Sequence, residues 1–101
     1  MFSFFKKLLG PAVNYKELVE QGALIVDVRT PEEYKQGHID GSMNIPLQVL
    51  PGKIADLRKK GKAIITVCRS GARSGAAVGM LKKAGLDAYN GGPWNRLQNQ
   101  I

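Results

Sequence analysis

Apolar residues fall along this chain in short runs of two kinds, and the two kinds alternate. In "NYKELVEQG" at 14–22, Leu18 and Val19 sit among polar residues, Asn14 can cap, Glu17 follows three residues on and Gly22 is a stop. That pattern predicts a short helix. "ALIVDV" at 23–28 is instead an almost unbroken apolar run rich in β-branched residues, with Asp27 interrupting it near its carboxyl end. Such a run predicts a strand covered on both faces. "TPEEYKQG" at 30–37 opens a second helix, with Thr30 as N-cap, Pro31 in the first turn beside Glu32 and Glu33, and Gly37 to close. "SMNIPL" at 42–47 supplies a short strand that Pro46 ends, and Leu50, Ile54 and Leu57 then have helical spacing up to Gly61.

"KAIITV" at 62–67 reads as a second buried strand and delivers Cys68 at its carboxyl end. From about Gly71 to Lys83, Ala77, Met80, Leu81 and Ala84 recur at helical intervals, with Lys82 and Lys83 in the last turn and Gly85 as cap. Gly75 and Gly79 each cost this helix about 1 kcal/mol relative to Ala, so close approach of a neighbouring element is expected there. "LDAYN" at 86–90 is the last strand, and "PWNRLQNQ" after Gly91-Gly92 the last helix. Strands that alternate with helices predict an α/β fold, a parallel sheet with helices on both faces. No repeat, low-complexity tract or linker interrupts the pattern, so one domain is expected over residues 11–101.

Residues 1–10, "MFSFFKKLLG", stand apart from this alternation. Three Phe and two Leu around Lys6 and Lys7 could rest on a membrane surface as a short amphipathic helix, but the run is far shorter than the ~20 apolar residues a span needs. The reading preferred from sequence is a loosely ordered segment or one that packs on the domain.

Composition narrows the picture. The 101 residues are 44% hydrophobic and 23% charged, an ordinary balance for a globular domain, and a chain of this size buries about two thirds of its unfolded surface. A single cysteine rules out an internal disulfide, and Cys68 with the lone His38 cannot complete a four-ligand zinc site, so no metal and no cofactor are expected. A free thiol suits a reducing compartment, and the cytoplasm is the expected location. The formal charge of +7 raises the question of nucleic acid. Its basic runs, "RKKGK" at 58–62 and Lys82-Lys83, fall where helices end and complement the helix dipoles, with no aromatics interleaved. No nucleic-acid partner is expected.

The chemistry concentrates in "VCRSGARS" at 67–74. Ligands of open parallel sheets bind beyond the carboxyl ends of the strands, where this pattern puts Cys68. Residues 69–73, Arg69, Ser70, Gly71, Ala72 and Arg73, then lead into a helix N-terminus whose unpaired N–H groups favour an anion. If the loop curls round the sulfur, those N–H groups form a nest, and Arg69 and Arg73 add two positive charges. Both effects favour thiolate over thiol, so Cys68 is expected to be largely ionised at neutral pH.

"DVRTPEEYKQGHIDGSMNIP" at 27–46, "VCRSGARS" at 67–74 and "NGGPW" at 90–94, in this order and spacing, resemble the single-domain members of the rhodanese family. The likeness extends over about residues 12–99. It implies a three-layer fold around a parallel sheet of about five strands, and a sulfurtransferase that carries sulfane sulfur as a persulfide on Cys68. It also implies that the N–H groups of residues 69–73 cradle the transferred group. The expected donor is thiosulfate or a similar small anion. With no second cysteine in the chain, the acceptor is external: cyanide, a thiol or a sulfur-accepting protein. The alternative is a non-catalytic carrier or regulatory module serving a partner protein. Phosphatases of the same fold resemble Cys-x5-Arg, whereas Cys68 to Arg73 is Cys-x4-Arg, and Val67 stands where they usually carry His. A phosphatase or arsenate reductase is therefore disfavoured.

Several neighbours are expected to support the site. Asp27 and Arg29 lie at the end of a strand and could hydrogen-bond the loop, although an ion pair of Arg29 with Glu32 or Glu33 is preferred from sequence. The resemblance makes His38 a structural hydrogen-bonding residue. Trp94 either walls the entrance or is buried in the core. Ser70 and Ser74 offer hydroxyls, and Ser74 can satisfy backbone at the helix start.

Overall fold

The computed structural model describes residues 12–101, so the expectations for residues 1–10 lie outside the described residues. Among the described residues five α-helices and four strands alternate: α1 (Tyr15–Glu20), β1 (Leu24–Asp27), α2 (Pro31–Gln36), β2 (Met43–Asn44), a 3-10 turn (Leu50–Lys53) running into α3 (Ile54–Lys60), β3 (Ile64–Cys68), α4 (Ala72–Lys83), β4 (Ala88–Pro93) and α5 (Trp94–Gln98). The sheet order is β2-β1-β3-β4 and every pair is parallel. Among the described residues there are thus four strands rather than about five. Residues 12–14, ahead of α1, join no ladder, and Val13 there is exposed.

Local chemistry explains where each element starts and stops. The Asn14 side chain accepts the Glu17 N–H at 3.0 Å to open α1. Thr30 and Glu33 form a reciprocal capping box at the start of α2, with Pro31 in its first turn. Gly61, in the left-handed region at φ +62, ends α3. The central strands carry the apolar runs because both their faces are covered: all five residues of β3 are buried. Val26, Ile64 and Cys68 pack with Leu57, Ala77 and Leu81 on one face, while Ile25, Ile65 and Val67 pack with Leu97, Leu18 and Trp94 on the other.

The chain passes from β1 outward to β2, then returns to place β3 on the opposite side of β1. The strand order therefore reverses between β1 and β3. In an open parallel sheet the crevice beyond that reversal is where ligands bind, and Asp27 and Cys68 stand at the carboxyl ends of those two strands.

β4 joins β3 with a register shift: Thr66 pairs with Asn90 but Val67 pairs with Gly92, leaving Gly91 as an extra residue. A Cβ on Gly91 would stand 2.8 Å from Ile65 Cγ2 and 2.9 Å from the Thr66 carbonyl oxygen, so the bulge lies too close to β3 for a side chain. The two glycines inside α4 divide. Gly75 faces Asn90, whose Nδ2 would be 3.3 Å from an added Cβ, whereas Gly79 is exposed with nothing within 4 Å. The expected close approach therefore exists at Gly75 and not at Gly79, because Gly79 lies on the solvent side of the helix. Gly91→Ala is expected to cost about 1 to 3 kcal/mol through overpacking. Gly79→Ala is expected to add about 0.5 to 1 kcal/mol through helix propensity. Urea unfolding of the two variants beside the parent chain measures both signs.

Candidate active site

β3 ends by burying its own last side chain: Cys68 is 1% exposed. The chain then turns through Arg69 and Ser70 to Gly71, which caps α4 at φ +103, a conformation that favours glycine. This turn folds the loop back over the sulfur. The Gly71 N–H donates to Cys68 Sγ at 3.0 Å and the Ser74 N–H at 3.4 Å, and Ser74 Oγ lies 3.3 Å away. Burial pushes the Cys68 thiol up, but hydrogen bonds from the Ser74 hydroxyl and from the N–H groups of Ser74, Gly71 and Ser70 outweigh it. The net effect holds the thiol below its ordinary value, toward thiolate.

The loop is held from behind by β4. Asn90 Nδ2 donates to the Gly71 carbonyl at 3.2 Å, and Asn90 Oδ1 accepts the Ser74 hydroxyl at 2.7 Å and the Gly92 N–H at 2.9 Å. Thr66, facing α4 from β3, donates its hydroxyl to the Ser74 carbonyl at 2.9 Å. Sequence reasoning does not single out Asn90; a polar residue at the carboxyl end of a strand, just before two glycines, is the available signal.

The two arginines of the loop have different fates. Arg73 forms a two-pronged pair with Glu33 of α2, at 2.7 and 2.9 Å. Its charge is therefore compensated, and the hydrogen bonds around the sulfur are the leading forces that lower the Cys68 pKa. Arg73 still acts on the sulfur: its own pKa is raised first by the Glu33 hydrogen bonds and also by the Cys68 charge, so this positive charge is shared between Glu33 and the thiolate. Arg69 lies outside that pair, in the wall of a cleft of about 370 Å³ that Arg29, Glu33, Gln36, Gly37 and Trp94 complete. Ser70 and Ala72 are exposed on the loop.

Arg29 does not pair with the carboxylate of Glu32 or Glu33, as the sequence suggested. It pairs with Asp27 at 2.7 Å, both side chains being buried. Its remaining N–H groups donate to the carbonyls of Glu33 and Gly37 at 3.2 and 2.7 Å. The reason is physical. A fully buried Asp27 needs a cation within reach, and Glu33 is already engaged by Arg73. Asp27 thus fixes Arg29, which braces the carbonyls of Glu33 and Gly37 and lines the cleft, 4.9 Å from the centre of the Trp94 ring. Trp94 walls the cleft. His38 stacks on Tyr34 with ring centres 3.7 Å apart, and its Nδ1 lies 2.7 Å from the Tyr34 carbonyl, so both contacts serve the end of α2.

With this geometry in view, comparison with known proteins is decisive: the Rhodanese-like domain family matches residues 12–92. The chain belongs to the rhodanese family. Thiosulfate sulfurtransferase PspE of Escherichia coli is 35% identical over 83 residues, 81% of this chain and 80% of that protein. The tRNA sulfurtransferase of Thermoplasma acidophilum is 30% identical over 77 residues, which are 76% of this chain but 15% of that protein. Among solved structures, a rhodanese with anions from E. coli superposes with a TM-score of 0.68 at 33% identity, covering 73% of this chain and 89% of that one.

In this rhodanese-family chain Glu33 links two elements. It caps α2 through the Thr30 N–H and grips Arg73 of α4, and the Arg73 hydrogen bonds, followed by that from Thr30, lower its pKa from 4.5 to about 2. A carboxyl lowered on folding contributes stability above its unfolded pKa and loses it as pH falls toward the folded one. Glu33→Gln keeps the cap but not the charge. It is expected to cost about 1 kcal/mol at neutral pH, since the pair is partly exposed. That difference is expected to close as pH falls from 4.5 to about 2. Urea unfolding of both proteins across that range measures it.

Proposed function

We propose that this rhodanese-family chain is a sulfurtransferase that takes sulfane sulfur from thiosulfate, or a similar small anionic donor, onto Cys68. It passes the sulfur to an external acceptor, cyanide or a thiol. The observation that carries this reading is the Cys68 sulfur itself, buried at the strand-order reversal and held toward thiolate by Gly71 and Ser74. In the first half-reaction the thiolate attacks the outer sulfur of thiosulfate. The sulfur–sulfur bond of the donor breaks, its electron pair leaves with sulfite, and Cys68 is left as a persulfide anion. In the second half the acceptor attacks the outer sulfur, and the electron pair of the persulfide bond returns to Cys68 Sγ.

Arg69, in the cleft wall, suits the charge of the sulfonate end of such a donor. Arg73, tied to Glu33, is poorly suited to clamp a phosphate, which with the Cys-x4-Arg spacing argues against hydrolysis of phosphoesters. A second reading, a carrier that receives sulfur from a partner protein, draws support from the tRNA sulfurtransferase, of which the matching region is 15%. The lone free thiol favours a reducing compartment, and we assign the chain to the cytoplasm on that ground. Among the described residues no helix is long and apolar enough to cross a membrane.

Intact-mass spectrometry after incubation with thiosulfate tests the proposal. The expected result is the gain of one sulfur atom on the parent chain, its removal by cyanide, and no gain on Cys68→Ser. An unmodified parent chain, or an equal gain on the Ser variant, overturns it. Sulfur accepted from a partner's persulfide but not from thiosulfate selects the carrier.

A further inference from the structure

One hydrogen in the site has two acceptors. The Ser74 hydroxyl carries a single proton to donate, and its oxygen lies 2.7 Å from Asn90 Oδ1 and 3.3 Å from Cys68 Sγ. Asn90 cannot resolve the conflict by turning its amide over. Its Oδ1 already accepts the Gly92 N–H at 2.9 Å and its Nδ2 donates to the Gly71 carbonyl at 3.2 Å, so a flip would set donor against donor and acceptor against acceptor. Asn90 therefore presents only an acceptor to Ser74, and so does an ionised Cys68. When the sulfur is a neutral thiol the demand disappears, because its own S–H can donate to Ser74 Oγ while Ser74 donates onward to Asn90.

We propose that the Ser74 hydroxyl is a two-position donor: it turns to Cys68 Sγ whenever that sulfur is anionic and to Asn90 whenever it is neutral. Ser74 touches the reacting atom and is a catalytic residue; Asn90 is a positioning residue that competes for its proton. The turn toward sulfur does not strand the Asn90 oxygen, because Oδ1 keeps the Gly92 N–H and Asn90 is an exposed residue, while Ser74 itself is fully buried.

On the sulfurtransferase reading, from which this inference extends, the switch runs once per cycle. Attack of the thiolate on the donor moves the negative charge from Sγ to the outer sulfur of the persulfide, so Sγ becomes a weak acceptor and Ser74 returns to Asn90. When the acceptor attacks the outer sulfur, the persulfide bond breaks toward Sγ and the hydroxyl turns back to meet the reforming thiolate. Ser74 thus stabilises Cys68 as a leaving group in the second half-reaction as well as a nucleophile in the first.

The charged groups around the sulfur are Arg69 and Arg73 from the loop and α4, Glu33 from α2, Asp27 and Arg29 from the end of β1, and Arg96 of α5 beside Gly92. β4 brings Asn90 and two glycines and no charge to this side. Substitution at Ser74 or Asn90 changes none of these groups.

The test is a double-mutant cycle read by thiolate absorbance against pH, with Cys68→Ser as the blank for tyrosine. Ser74→Ala is expected to raise the Cys68 midpoint by about one pH unit, the loss of one hydrogen bond to a charged group. Asn90→Ala leaves the hydroxyl to sulfur alone, a change that favours the thiolate only where Ser74 is present. Asn90→Ala also releases the Gly71 carbonyl, and that loosening is common to both backgrounds, so the proposal is read from the difference: the Asn90 substitution is expected to leave the midpoint lower, by roughly half a unit, with Ser74 present than the same substitution does on the Ser74→Ala background. Equal shifts in the two backgrounds overturn the proposal, as does an unchanged midpoint in Ser74→Ala. If Asn90→Ala does not fold, Asn90→Asp keeps the acceptor for the Gly92 N–H. It is expected to raise the midpoint more with Ser74 present than on the Ser74→Ala background, and equal shifts overturn the proposal. The titration uses no sulfur donor, so its outcome stands apart from that of the persulfide experiment.

Discussion

A sulfur that is 1% exposed can hold negative charge only if fixed donors replace the water it has lost. Everything around Cys68 follows from that requirement. A parallel strand ending at the reversal of the sheet order delivers the side chain, and a turn through Gly71 at φ +103 brings the Gly71 and Ser74 N–H groups within 3.0 and 3.4 Å of Sγ. Backbone donors suit the task because they are already aligned before any ligand arrives and carry no competing counter-ion. Desolvation, which alone would favour the neutral thiol, is overcome by short-range hydrogen bonds.

The second layer keeps those donors in place. Asn90 grips the loop from β4 through the Gly71 carbonyl, and Thr66 grips it from β3 through the Ser74 carbonyl. Glu33 ties the first turn of α4 to α2 through Arg73. The bulge at Gly91 brings β4 against β3 where no side chain fits, so the site is coupled to sheet packing through that close contact. Beside the site, the Asp27–Arg29 pair is satisfied by its own two members and by the carbonyls of Glu33 and Gly37, so a buried charge pair persists with its donors used.

Much of this was legible in the chain. Continuous apolar runs locate β1 and β3, Thr30-Pro31 with Glu33 announces the start of α2, and the apolar run that ends at Cys68 puts that residue at the carboxyl end of β3. What stayed hidden was pairing across distance. Glu33 looked bound for Arg29, four residues away, yet it meets Arg73, forty residues along, because a buried Asp27 claims Arg29 first. Asn90 was equally silent, since its significance lies in facing α4 across the bulge. The two-residue length of β2 also follows from tertiary pairing with β1, to which its local composition is a poor guide.

The fate of the two arginines changes the electrostatic reading of the family loop. Before folding, Arg69 and Arg73 look like equivalent sources of positive potential at the thiol. After folding, Arg73 is spent on Glu33, whose own carboxyl it holds near a pKa of about 2, so across the neutral range this pair presents little net charge to the cleft. Arg69 lies in the cleft wall outside both ion pairs. The hydrogen bonds around the sulfur are then the leading stabilisers of its charge, with Arg73 a Coulombic partner shared between Glu33 and Cys68.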